Sequence, residues 1–112
     1  MKAFLFGAID YFAKEEWRTP IVLSAISVES GLADLYEECH REPAPDKPLG
    51  DLFYLVKSRI KFPSDVEKAI ELANQSRIAA VHRSRLPVSQ KEAISALFGA
   101  INFTRWHVFE FS

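Results

Sequence analysis

The segment Pro20–His40 limits what this chain can become more than any other. Within it Ile21, Ala25, Val28, Leu32, Leu35 and Cys39 recur in alternating steps of four and three. That spacing gathers all six on one side of an α-helix, whereas a strand of period two would scatter them over both faces. Ile26, Ala33 and Tyr36 widen the stripe to the breadth of a bundle helix. Glu29 falls inside this apolar face. A carboxylate there needs a cationic or hydrogen-bonding partner, for which Arg77 is the candidate, unless it lies at a boundary and reaches solvent.

A helix this apolar needs other helices against it, and the rest of the chain supplies them. Phe4, Leu5, Ala8, Ile9 and Phe12 mark a first helix from Lys2 to about Glu16, and Thr19-Pro20 reads as a cap with a first-turn proline. Residues 42–48, EPAPDKP, form a connector whose three prolines no helix interior could hold. Leu49, Leu52, Phe53, Val56 and Ile60 then share one face of a third helix, Leu49 to Ile60. Lys57, Arg59 and Lys61 lie at its far end and read as a solvated surface. Ser64-x-x-Glu67 and Ser89-x-x-Glu92 are capping boxes that open a fourth and a fifth helix. The fourth runs to about Val81, with Val66, Ala69, Ile70 and Ala73 inward and Arg77 one turn further on that face. The fifth carries Ile94, Leu97, Phe98, Ile101, Arg105 or Trp106, and Val108. With no strand signal and no internal repeat, the expected fold is an all-α, up-and-down bundle of four or five helices.

A length of 112 residues suits a single domain, and 48% hydrophobic with 26% charged residues is ordinary for a soluble one. The opening MKAFLFGAIDYFA resembles the apolar core of a signal peptide, but Asp10 interrupts it and no small-residue cleavage site follows. No apolar run approaches the ~18 residues of a membrane span. A lone cysteine, Cys39, excludes an internal disulfide framework and points to a reducing, cytoplasmic compartment. His40, His82 and His107 are too dispersed for a metal site, the four glycines form no phosphate loop, and no cofactor is expected.

Charge is distributed unevenly. Residues 1–46 hold nine acids against four bases, residues 47–112 six against ten, or −5 against +4. An anionic ligand for the second half is one reading, and mutual attraction of the halves within one fold is the other. Between Glu71 and Glu92 there is no carboxylate, while Arg77, Arg83, Arg85 and Lys91 fall inside that window. Clustered cations without acids favour a phosphate-bearing partner. His82 beside them can take and give a proton near neutral pH. The plainer alternative is a solvated basic helix end. On a regular helix, residues five apart stand about 140° and about 7.5 Å from one another, so one chain does not readily bring Arg77 and His82 onto one phosphate. Two copies packed about a twofold axis would interleave them, with Ala79 and Ala80 leaving room for the approach.

Arg77-Ile-Ala-Ala-Val-His82, near the end of a penultimate helix, resembles the motif of the HEPN (higher eukaryotes and prokaryotes nucleotide-binding) domains, an arginine followed after four to six residues by a histidine. The resemblance covers nearly the whole chain. It includes a long second helix with an internal acid, Glu29, then a proline-broken loop, a short helix starting PLGDLF, the motif helix and a closing helix. It implies a homodimer acting as a metal-independent endoribonuclease of toxin or antiphage type. Arg77 and His82 would be catalytic, with Glu29 a supporting acid, and the product would end in a 2′,3′-cyclic phosphate. Arg83, Arg85, Asn74 and Ser76 are the accompanying candidates for RNA or phosphate contact. A nucleotidyltransferase-fold antitoxin is the protein partner the resemblance suggests. Active members carry a polar residue directly after the arginine, where this chain has Ile78. A catalytically silent module that binds a nucleotide or a protein partner is therefore the alternative.

Overall fold

The computed structural model describes residues 2–14, 16–82 and 89–111, without the side chains of Lys2, Ala3, Phe12, Val81 and His82. The expectations for Arg83 and Arg85 lie outside the described residues. The described residues form five α-helices and a π-helical turn: α1 (Lys2–Ala13), α2 (Arg18–His40), α3 (Leu49–Lys57), α4 (Ser64–His82), α5 (Gln90–Arg105) and the turn Trp106–Glu110. The described residues contain no strand, and no helix among them is long and apolar enough to cross a membrane.

α2 is the central element and touches α1, α3, α4 and α5. Its expected seam is buried from Ile21 to Leu35 and ends on a half-buried Cys39, while Ile26 and Ala33 are only partly covered. Its start differs from the reading of Thr19 as a cap. The helix begins at Arg18, and the Glu16 carboxylate accepts from the backbone N–H groups of Arg18 and Thr19, each at 3.1 Å. An acid here satisfies otherwise unpaired donors and complements the helix dipole, and Pro20 in the first turn has no N–H to leave unpaired. At the other end Arg41 adopts a left-handed conformation (φ 55°) and donates its N–H to the Glu37 carbonyl at 2.9 Å, closing the last turn before the proline connector.

Two apolar clusters run along α2. The larger joins Val28, Leu32 and Leu35 to Leu52 and Val56 of α3, Val66 and Ile70 of α4, and Phe103 and Trp106 at the chain's end. The smaller lies at the opposite pole, where Ile21, Ala80, Ala93 and Ala96 close the start of α2 on the end of α4 and the start of α5. There the Arg18 guanidinium donates to the Ala80 carbonyl, and with Leu35 and Val66 sharing the larger cluster α2 runs antiparallel to α4.

The capping expectations divide. Ser89 caps α5, its hydroxyl accepting from the Glu92 N–H at 3.1 Å. Glu67 does not fold back on its own helix; its carboxylate pairs instead with Lys57 Nζ of α3 at 2.6 Å. The expected inward stripe of α5 is right at Leu97 and Trp106 and wrong at Phe98, Ile101 and Val108. Ala93, Ala96, Ala100 and Phe103 face the core with Leu97, whereas Phe98 is 65% exposed and Ile101 and Val108 are also outside. Small residues hold this interface because the helices approach closely: a Cβ on Gly99 would stand 3.3 Å from the Ala69 carbonyl oxygen. His107, in the terminal turn, is half-buried, with its Nδ1 inaccessible and without a hydrogen-bond partner.

Candidate functional site

Along α4 the inward positions are Val66, Ile70, Ala73, Arg77 and Ala80, an i, i+4, i+3, i+4, i+3 progression. Arg77 therefore belongs geometrically to the core-facing stripe. Its flanking alanines leave room for the stem, and the side chain is half-buried. The guanidinium has little to hold. Nη2 donates to Asn74 Oδ1 at a long 3.5 Å, and Nε is inaccessible without a hydrogen-bond partner. Among the described residues the ion pairs are Asp10–Lys14 and Lys57–Glu67, so no carboxylate neutralises Arg77.

The expected partnership with Glu29 is not formed. With Arg18 at Ala80 and the helices antiparallel, Glu29 lies eleven residues along α2, about 16 Å at 1.5 Å per residue. Arg77 lies only three residues from the same end of α4, about 4.5 Å, so the two are offset axially by about 12 Å. Glu29 instead borders a cavity of about 420 Å³ beside Phe4, Ala33, Pro45 and Lys47. It is half-buried there, nearer the boundary alternative.

α4 remains helical through His82, its last residue. Its register sets position 82 on the strip of Gln75 and Ile78, both exposed, and away from Arg77. Ser76 is half-buried and Ile78 is 41% exposed. The latter is a bare apolar residue where the resembled family has a polar one.

The same strip borders a cleft between α3 and α4. Gly50 and Asn74 meet at one end, where a Cβ on Gly50 would stand 3.0 Å from Asn74 Nδ2; Lys57 and Glu67 meet at the other. Between these crossings lies a cavity of about 260 Å³ lined by Gly50, Phe53, Tyr54, Lys57, Glu71, Asn74 and Gln75. Tyr54, 77% exposed, forms its outer rim. The hydrogen bond that Lys57 donates to the Glu67 carboxylate raises its pKa and keeps this ammonium charged at any ordinary pH. Sequence reading missed Tyr54 altogether, because a solvent-facing aromatic within a run of core phenylalanines has no periodicity of its own. It placed Lys57 on a wet surface, and Lys57 is exposed.

No group of histidine, cysteine, aspartate and glutamate able to hold a metal ion occurs among the described residues. No family model, curated protein or solved structure matches the chain. The residues and their geometry therefore carry the functional argument.

Proposed function

We propose that this chain is an RNA-cleaving helical domain of HEPN type, whose reaction is borne by Arg77 and His82 from two copies of the chain. The observation that carries this reading is the unneutralised, half-buried Arg77 guanidinium. A structural arginine on an inward face should hold a carboxylate, because an unpaired cation away from water is costly. Among the described residues Arg77 holds a distant amide. Such a group retains its capacity for an incoming anion, and a phosphodiester supplies one with geometry suited to the guanidinium fork.

In this mechanism His82 accepts the proton of a ribose 2′-hydroxyl as that oxygen attacks the adjoining phosphorus. The bond from phosphorus to the 5′-oxygen breaks, and a protonated histidine, from the second copy, donates to the departing oxygen. The products are a 2′,3′-cyclic phosphate and a free 5′-hydroxyl, and the pair of histidines regains its original proton count. Arg77 stabilises the negative charge gathered on the phosphoryl oxygens, a task typically worth 10²–10³ in rate for one preorganised donor. The angular separation of positions 77 and 82 supports a dimer, because one helix aims them apart.

The test is incubation of purified protein with total RNA in excess EDTA, with product ends mapped. Cleavage that leaves cyclic phosphate ends and is lost in Arg77→Met and His82→Ala is the expected result. RNA left intact by the wild-type chain, or cut equally by both variants, refutes the assignment. The specific observation favouring a second reading, a silent binding module, is Ile78 in place of the polar residue. Under that reading oligonucleotides bind but stay whole.

A further inference from the structure

We infer that the cleft between α3 and α4 is a nucleobase-binding subsite, in which Tyr54 stacks on the base and the amides of Asn74 and Gln75 engage its edge; this rests on the RNA-cleaving reading above. Size is the first argument. A cavity of about 260 Å³ falls below the ~300 Å³ at which sites for drug-sized ligands begin, so it suits one planar ring system rather than a whole nucleotide. The chemistry of its walls is the second. A phenol 77% exposed on the rim offers a flat apolar face, and base–aromatic stacking uses such faces on every base. Asparagine and glutamine each pair a donor with an acceptor, the pattern that matches the adenine N6 and N7 edge. Glu71, also on the wall, adds an acceptor for an exocyclic amine.

Connection to the reacting group is the third argument. Asn74 lines the cleft and also receives Arg77 Nη2, so the guanidinium that would hold the phosphate adjoins the cleft through one shared side chain. Gln75, Ile78 and position 82 follow one another on the same strip of α4, so a strand leaving the cleft along that strip runs toward His82. Gln75 and His82 are seven residues apart, about 10.5 Å along the helix, close enough for the base to belong to a nucleotide adjoining the scissile phosphate. A purine in the cleft would thereby set where the strand is cut.

The backbone provides an unusually selective probe. A methyl group at Gly50 would meet first the flexible end of Asn74 and displace its amide, and alanine is a better helix former than glycine. Gly50→Ala should therefore fold at least as well as the wild type while obstructing the base. The experiment titrates the full chain with fluorescein-labelled 2′-O-methyl hexamers of adenylate and of uridylate, read by anisotropy at low salt. The blocked hydroxyl prevents cleavage, so binding is read alone. The wild type should prefer the adenylate strand, with about tenfold weaker binding in Tyr54→Ala and in Gly50→Ala and recovery in Tyr54→Phe. Equal affinities across these variants, or no preference between the strands, would overturn the subsite and return Tyr54 to a protein-contact surface. Parallel assays on unmodified RNA separate the two claims. Cleavage with unchanged binding in the variants leaves the nuclease standing and removes the subsite. Binding lost in the variants without any cleavage by the wild type keeps the subsite and removes the nuclease.

Discussion

At the scale of the single residue, Arg77 is the informative side chain, because what it lacks distinguishes two roles. If it were there to stabilise the fold, its removal would leave a bereft acid and destabilise by about 3–5 kcal/mol. Among the described residues no acid pairs with it, and its Nε is a donor without an acceptor. Arg77→Met keeps the apolar stem and discards that donor, so its stability in urea should lie within about 1 kcal/mol of the wild type or above it. Cleavage, by contrast, should fall at least a hundredfold. A midpoint lowered far enough to signal several kcal/mol would make Arg77 a structural residue and remove the main support for its catalytic role.

At the scale of the helix, α5 asks why a clear periodic signal can identify the helix and still mistake its face. Its core side is written mainly in alanine, and Ala93, Ala96 and Ala100 let it lie close against its neighbours. Reading hydrophobic stripes favours large side chains and so selected Ile94, Phe98 and Ile101. Substitution separates the two faces. Ala100→Leu forces extra volume into a fully buried position and should cost about 1–3 kcal/mol. Phe98→Lys removes a largely exposed ring and should change stability by no more than about 0.5 kcal/mol. Denaturation midpoints of the two variants check this, and the reverse order would restore the original stripe. α2 was legible because Ile21, Val28, Leu32 and Leu35 are large and buried alike. The ends were legible where the signal is local, as at Ser89, and not where a side chain found a tertiary partner, as Glu67 did with Lys57. The site follows the same division. The inward turn of Arg77 is a matter of period, but its depth relative to Glu29 is set by how α2 and α4 are registered, which a helical wheel does not contain. The α3–α4 cleft depends on Gly50 meeting Asn74, a contact between segments more than twenty residues apart in sequence.

At the scale of the whole molecule, the acidic first half and the basic second half belong to one packed body, with α2 set against α3, α4 and α5. Their meeting at the terminal turn makes stability depend on pH. His107 sits near Asp34 and Glu38 of α2, whose charges favour protonation, yet burial outweighs them and its pKa is lowered. In the unfolded chain the same imidazole titrates near its ordinary value of about 6.5. The unfolded state therefore binds the proton more readily. The contribution of neutral His107 is complete above that value and declines as pH falls toward the lowered, folded one. His107→Phe keeps a ring at the place where His107 lies 5.8 Å from Phe103 and 6.4 Å from Phe111, while deleting both the titration and the unpartnered Nδ1. Thermal melts of both proteins from pH 7.5 to 5.5 isolate this one group, because every other titration is common to the two. The wild type should lose melting temperature faster than the variant below about pH 6.5, and the gap should widen with acid. Parallel curves would mean that His107 is as well solvated in the fold as out of it, and that the terminal turn does not bury it beside Asp34 and Glu38.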